Sequence, residues 1–337
     1  MSGPAGRLPG MPATAVIVVN YNGREHLGRC LASVLAQQPP PSQVVVVDNA
    51  SRDGSADALP AGVELLRLPG NRGFAAAANA GLARTSAAFV LTLNPDAELL
   101  PGCLAAAAAA LDADATLGSV APRVLCAAAP GRIDATGIGL TSSFGQINCE
   151  HDLPEEQAAS QPRAVLGPLG GAALWRRQAL AEAGGFCESY FLYWEDLDLA
   201  LRLDRAGYGC RTEPRARVLH AGGGSIGRHS PANVFYMVRN HWACLLTCLP
   251  APLMRRRWWA LALAPLRAAA LYAGRGNPLS ALWGLLCGLT LLPGAWRRRR
   301  ALPGSGRSAE ERAANRLQPL LAAADADRLV MRAHAGS

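Results

Sequence analysis

The stretch FLYWEDLDLALRLD, residues 191–204, sets three carboxylates, Glu195, Asp196 and Asp198, directly behind a run of Phe, Leu, Tyr and Trp. Bulky apolar neighbours strip water from a carboxylate, disfavour its charged form and raise its pKa, while a helix N-terminus does the opposite. A carboxylate held between these influences can take a proton from a substrate hydroxyl, which is the work of a general base. A purely structural reading competes with this one. Glu195 to Arg205 can form a single helix with Leu197, Leu201 and Asp204 towards one side, and acids in its first turn suit the helix dipole at about 0.3–1 kcal/mol each. Asp198 and Arg202 stand four apart, the spacing of a solvated surface pair.

Further candidates fall where strands should end. TAVIVV (14–19) is a β-branched run suited to a buried parallel strand and is followed by Asn20. QVVVV (43–47) ends in Asp48-Asn49, and AFVLTL (88–93) ends in Asn94-Pro95-Asp96. Between them, GREHLGRCLASVLAQ and FAAAANAGLAR (74–84) carry helical patterns, ELLRL (64–68) reads as another strand, and PGCLAAAAAALDAD as another helix. Strands alternating with helices predict an α/β fold with a mostly parallel, doubly wound sheet, in which ligands sit beyond the carboxyl ends of strands. Residues 122–165 look like an insertion of hairpins and loops. LGPLGGAALWRR (166–177) returns to the core and leads into the helix RQALAEAG. Two short strands, GYGCRTE and ARVLH, follow the acidic stretch, the second ending at His220.

Composition removes several chemistries. The 337 residues can hold one large α/β domain with an appendage. All 33 basic residues are arginine. Without lysine there is no P-loop lysine and no Schiff base, so the cluster Gly222-Gly223-Gly224 is not a Walker site. The turn after the first strand, NYNGREHLG, lacks G-x-G-x-x-G and so argues against a dehydrogenase cofactor and against the basic phosphate loop of a nucleotidyltransferase. Nine scattered cysteines fit a reducing compartment. Cys244 and Cys248 lie near His241, but a fourth zinc ligand is not evident. The opening MSGPAGRLPGMPA reads as a short Pro/Gly-rich tail and not as a signal peptide.

Seven motifs in this order resemble those of bacterial family 2 glycosyltransferases, particularly the rhamnosyltransferase-like branch. They are VIVVNYNG (16–23), VVVVDNASRDGS (44–55), NRGFAAAANAGL (71–82), LTLNPDAEL (91–99), GGAALWRR (170–177), GGFCESYFLYWEDLDLALRLDRAGY (184–208) and ARVLHAGGGS (216–225). The resemblance implies a GT-A fold and an inverting transfer of sugar from a nucleoside diphosphate sugar, such as dTDP-rhamnose or a UDP-sugar. It places a nucleotide-sugar half at 14–122 and an acceptor half at 123–250. It implies that Asp48 recognises the base and that Asp196, the second member of the Glu195-Asp196 pair, is the general base, with Glu195 orienting acceptor or helix. The diphosphate must be neutralised as it leaves, and Mn²⁺ or Mg²⁺ on a strand-end carboxylate such as Asp96 would do this. By resemblance His220 corresponds to a histidine that completes that metal site in some relatives, the alternative being a histidine that contacts phosphate or packs. The family usually shows Asp-x-Asp here; this chain, like the rhamnosyltransferase-like branch, has Asn94 first. Asn94, with Asn20, Asn22, Gly170, Gly171 and Arg72, is accordingly expected to contact substrate. Trp194 and its aromatic neighbours are expected to wall the acceptor and exclude water. A catalytically silent sugar-binding homologue is the competing reading, and it has no need to keep Asp48, Asp96, Asp196 and His220 together.

The C-terminal region has its own signature. From residue 251 onward 14 arginines stand against four acids, and no acid occurs between Glu213 and Glu310. MRRRWWALALAPLRAAALYAGRGNPLSALWGLLCGLTLLPGAWRRRR (254–300) brackets apolar runs with arginine and tryptophan, and residues 276–296 are uncharged. Such a region suits helices lying in an anionic membrane surface, which fits a polyprenyl-diphosphate-linked acceptor on the cytoplasmic side. Nucleic acid is not the expected partner. Residues 301–337 read as a polar tail with a short helix or loose end.

Overall fold

The computed structural model describes residues 12–222, 230–302 and 307–335. Its first half alternates strands and helices as the periodicity predicts: β1 (Thr14–Asn20), α1 (Leu27–Leu35), β2 (Gln43–Asp48), β3 (Val63–Arg67), α2 (Gly73–Arg84) and β4 (Phe89–Leu93). A short β5 (Ala97–Leu99) and α3 (Cys103–Asp112) lead to β6 (Leu117–Cys126). The insertion supplies β7 (Ile133–Ala135), the hairpin β8 (Ile138–Leu140) and β9 (Gln146–Asn148), and β10 (Ala164–Val165). β11 (Ala172–Arg176), α4 (Arg177–Ala183), α5 (Glu195–Ala206) and β12 (Gly209–His220) complete the domain.

One sheet runs β10-β12-β6-β11-β4-β1-β2-β3, with β5 on β12 and β7 on β6. β3, β2, β1 and β4 are mutually parallel, β11 is antiparallel to both β4 and β6, and β12 is parallel to β6. Side chains alternate across the strands, so each face of the sheet builds its own core. Val16, Val18 and Val44 pack with Leu31 of α1 and Leu111 of α3, whereas Ile17, Val45 and Val47 pack with Phe74 of α2, Leu180 of α4 and Leu199 of α5. β6 is a central strand that begins ahead of the expected loop region. The two expected strands after α5 are one interrupted strand, β12, with a register shift between Glu213 and Arg217.

Among the described residues the C-terminal region is built of helices: α6 (Pro231–Cys248), α7 (Ala251–Arg256), α8 (Trp258–Gly274), α9 (Pro278–Ala301) and α10 (Arg307–Ala335). Among the described helices, α9 alone is long and apolar enough to cross a membrane. The expected short helix or loose end at 301–337 is corrected. α10 is 29 residues long and docks through Ala313, Ala314, Leu317, Leu321 and Ala324, all buried. Ion pairs Arg205–Glu310 (2.6 Å), Arg163–Asp327 (2.9 Å) and Arg316–Asp204 (3.2 Å) fasten it to the domain.

α5 is enclosed on two sides. Leu199 and Leu203 belong to the sheet core, while Leu197, Ala200 and Leu201 join a second core with α6, α7, α8 and α10. The expectation of a solvated Asp198–Arg202 pair is therefore corrected. Asp198 is 0% exposed and accepts from the Arg202 Nε at 2.6 Å and from the Tyr190 hydroxyl at 2.9 Å.

Candidate functional site

At the carboxyl edge of the parallel strands, Asn20 and Asp48 are register partners across β1 and β2. The Asn20 Nδ2 donates to Asp48 Oδ1 (3.0 Å) and to Ser55 Oγ (2.9 Å), and lies 3.2 Å from Ser51 Oγ. Asp48 is buried, its second oxygen lying 3.6 Å from the Arg67 guanidinium. Asn22, at φ +52°, latches the two strand-end loops: its N–H donates to Ser51 Oγ and its Oδ1 accepts from the Arg52 N–H, both at 2.9 Å. The expected Asn20, Asn22 and Asp48 thus form one network. Arg72 does not join it. Its guanidinium pairs with Glu188 at 3.0 Å on the surface, although its backbone N–H donates to Asn49 Oδ1 at 2.8 Å.

Asp96 and His220 are brought together because β5 pairs with β12, setting His220 opposite Ala97. The His220 Nε2 is 3.5 Å from Asp96 Oδ2, and its Nδ1 is 2.7 Å from Asp134 Oδ2. Burial alone would lower the His220 pKa, but the hydrogen bonds and charges of Asp134 and Asp96 prevail and lift it to about 9. Burial pushes Asp96 up, and hydrogen bonding to His220 with its positive charge reverses this, leaving the carboxyl below its ordinary value. Asp134 sits in the loop-rich region on β7, where no sequence pattern singles it out. It fixes the ring so that Nε2 faces Asp96, the arrangement by which a second carboxylate orients a metal-bound imidazole. The ion would have to displace the proton from the His220 Nε2; the neutral imidazole nitrogen beside a hard carboxylate oxygen then suits Mn²⁺ or Mg²⁺, so these donors fit the expected ion. Gly222 lies at φ +70°; Gly223 and Gly224 lie outside the described residues.

The loop ahead of α5 is strained. Phe191, Tyr193 and Trp194 all adopt left-handed φ values of 67°, 64° and 73°, each typically costing about 1–3 kcal/mol. The surroundings impose this shape. The Asn240 Nδ2 lies within 3.0 Å of the carbonyl oxygens of Tyr190, Leu192 and Tyr193. The Phe74 N–H donates to the Phe191 carbonyl at 2.8 Å, which only a glycine at 73 permits, since a Cβ there would lie 2.1 Å from that oxygen. Asn240, in an apolar helix, carried no sequence signal. The expectation that Trp194 walls the acceptor is corrected. Trp194 is buried, stacks on His241 at 4.4 Å and donates its Nε1–H to the Met237 carbonyl at 2.9 Å. Phe191 and Tyr193 are half-buried, Phe191 stacking on Tyr236 at 5.1 Å.

Glu195 and Asp196 open α5 and are both buried. Asp196 Oδ2 accepts from the Gly170 N–H (3.2 Å), and its Oδ1 accepts from the Leu197 N–H (2.7 Å). Burial raises the Asp196 pKa and these N–H groups oppose it. Glu195 is driven well above the ordinary range by burial and then by the charge of Asp196, and its Oε2 has no hydrogen-bond partner among the described residues. A buried pair of like acids retains one proton. Both carboxyls are raised by burial, Glu195 further because of the charge of Asp196, while the two N–H donors on Asp196 favour its charged form.

The Gly170-Gly171 dipeptide joins the two halves of the site. Gly170 holds Asp196, while the Gly171 carbonyl accepts from the Asn94 N–H at 2.8 Å. A Cβ at Gly171 would lie 2.4 Å from the Asn94 Nδ2, so the Asn94 amide occupies the space a side chain would need. Cys244 and Cys248 cluster with Asp198 and not with His241, whose Nε2 faces the Phe144 carbonyl at 2.7 Å. Asp198 is already neutralised by Arg202, so this cluster is a packed ion-pair environment and not a zinc site.

The family model described as "Glycosyl transferase family 2" matches residues 15–182. A protein of Mycobacterium tuberculosis named N-acetylglucosaminyl-diphospho-decaprenol L-rhamnosyltransferase is 29% identical over 237 residues, spanning 63% of this chain and 77% of that one. Two solved structures share the fold. A mannosyltransferase from Pyrobaculum calidifontis in complex with GDP-Man and Mn²⁺ matches with a TM-score of 0.53 and 22% identity over 95% of this chain and 88% of that one. GalNAc-T7 with UDP, GalNAc and Mn²⁺ gives a TM-score of 0.59 and 16% identity over 82% of this chain and 56% of that one.

Proposed function

The chain belongs to the family 2 glycosyltransferases, and from that premise we propose that it is an inverting, metal-dependent enzyme of cell-surface polysaccharide synthesis. The donor assigned first is dTDP-rhamnose and the acceptor a polyprenyl-diphosphate-linked glycan, a reading supported by the likeness to the mycobacterial rhamnosyltransferase. Residues 14–122 would bind the donor, residues 123–250 the acceptor, and 251–300 would associate with the cytoplasmic membrane surface. The observation that carries the catalytic reading is the placement of Asp196 against Gly170, one residue from the seat of Asn94.

In the proposed step the acceptor oxygen attacks the anomeric carbon as the bond from that carbon to the diphosphate oxygen breaks. The acceptor proton passes to the Asp196 carboxylate and the bonding electrons leave with the diphosphate. Glu195, holding its proton, keeps the pair singly charged. Asn240 and Gly73 fix the aromatic loop that shields the reacting groups from water. Asp96 and His220 would hold the divalent ion, which would supply Lewis-acid neutralisation of the leaving diphosphate. Asn20, Asn22 and Asp48 shape the nucleotide end. The reading is tested by incubating purified protein with an acceptor glycolipid and a panel of dTDP-, UDP- and GDP-sugars. Acceptor-dependent nucleoside diphosphate release with one donor is expected; no release with any would overturn transfer as the activity.

A further inference from the structure

Helix α9 is built inside out. Its inward stripe is small: Ala281, Gly284, Gly288 and Ala295 are buried. A Cβ on Gly284 would lie 2.8 Å from the Phe235 carbonyl, and one on Gly288 would lie 2.9 Å from that of Arg239, so the two helix backbones are in direct contact. Leu285 and Leu291 are partly buried against the inner clusters, but most of the bulky residues point away from the protein. Leu279 is 80% exposed and Trp283 60%, with Leu282, Leu286 and Leu289 on the same outer side. Trp259, Leu263 and Leu266 of the neighbouring α8 are exposed as well. A helix of a water-facing surface would turn its leucines inward, and an outward apolar face of this extent marks an interaction site.

The rim of this face identifies its occupant. Arg255 and Arg256 precede α8, Arg275 lies at the turn, and Arg297 and Arg300 close α9; all are exposed. Two arginine guanidinium groups lie over tryptophan rings, Arg267 over Trp259 at 5.9 Å and Arg300 over Trp296 at 5.7 Å. We propose that the outer face of α8 and α9 docks in the headgroup layer of an anionic lipid bilayer, leucines and tryptophans inserted and arginines on lipid phosphates. The helix lies in the surface and does not span. Its inward stripe stays on α6, and Arg298 ties it to the aromatic loop, donating to Ser189 Oγ at 3.1 Å and stacking over Tyr190 at 5.5 Å. A second copy is a poor occupant, because a symmetric pairing would bring the arginine clusters together. The inference rests on the proposed function only for the origin of the acceptor; lipid binding is measured without any transfer.

The experiment is co-sedimentation of the full chain with vesicles of phosphatidylcholine alone or with phosphatidylglycerol added. Binding to the anionic vesicles is expected, with L282D/L286D reducing it by at least about 10-fold while donor affinity and thermal melt hold. Should that variant melt early, R297E/R300E carries the same expectation. Parent protein remaining in the supernatant with anionic vesicles overturns the proposal. So does a folded variant that binds like the parent, or one that only converts a dimer to monomer.

Discussion

The backbone N–H of Gly170 donates to the Oδ2 of Asp196 at 3.2 Å across 26 residues of sequence, at the point where β11 begins beside β4. The adjacent Gly171 is held by Asn94, two residues before Asp96. One dipeptide thereby sets the Asp196 carboxylate and the Asn94-Pro95-Asp96 turn in fixed relation. The Asp196 carboxylate gains an N–H that favours its charged form at a position that is itself buried.

Asp198→Asn should unfold the protein readily, in contrast to the mild effect a solvated pair would give. Asn keeps the size but leaves Arg202 buried without its counter-charge, a loss of about 3–5 kcal/mol. Urea or thermal denaturation measures this directly. A melt matching the parent would mean that the pair is exposed in solution.

Glu195 gives the stability a pH dependence. Its folded-state pKa is raised well above the ordinary 4.5, first by burial and then by Asp196. The unfolded chain releases this proton first, so stability is full below 4.5 and falls as pH rises from there towards the folded-state value, by up to about 1.4 kcal/mol per pH unit. Glu195→Gln removes the titrating group and should flatten that fall. It should also retain transfer to within about 10-fold, since it mimics the protonated partner. Melting curves from pH 4 to pH 8, with rates at each pH, check both outcomes.

Chelation should abolish transfer, and Mn²⁺ or Mg²⁺ should restore it, if Asp96 and His220 hold the ion as their donor set suggests. Asp96→Ala should lose activity and keep a melt close to the parent's. Full activity in excess EDTA would show that Asp96 holds no catalytic ion.

Most of residues 14–122 was legible because β1 and β2 are β-branched runs ending in Asn20 and Asp48, β4 runs into Asn94-Pro95-Asp96, and a parallel sheet brings those ends to one edge. α5 was misread in part because cores on both of its sides bury it, so an i,i+4 charge pair fell inside. α10 was legible in principle: Ala313, Leu317, Leu321 and Ala324 repeat at helical spacing, but alanine weakens the contrast and Pro319 interrupts the pattern. Asp134 and Asn240 act through loops and carbonyls brought together only by the tertiary fold, and no local periodicity encodes them.

Asp196→Asn in a single-turnover assay with saturating donor tests the general base most directly. Asn keeps the size and can hold the Gly170 contact but cannot take the acceptor proton. Transfer should fall by about 10²–10⁴-fold with donor affinity unchanged. Transfer at the parent rate would show that the base lies elsewhere and that the carboxylates of this helix serve the fold alone.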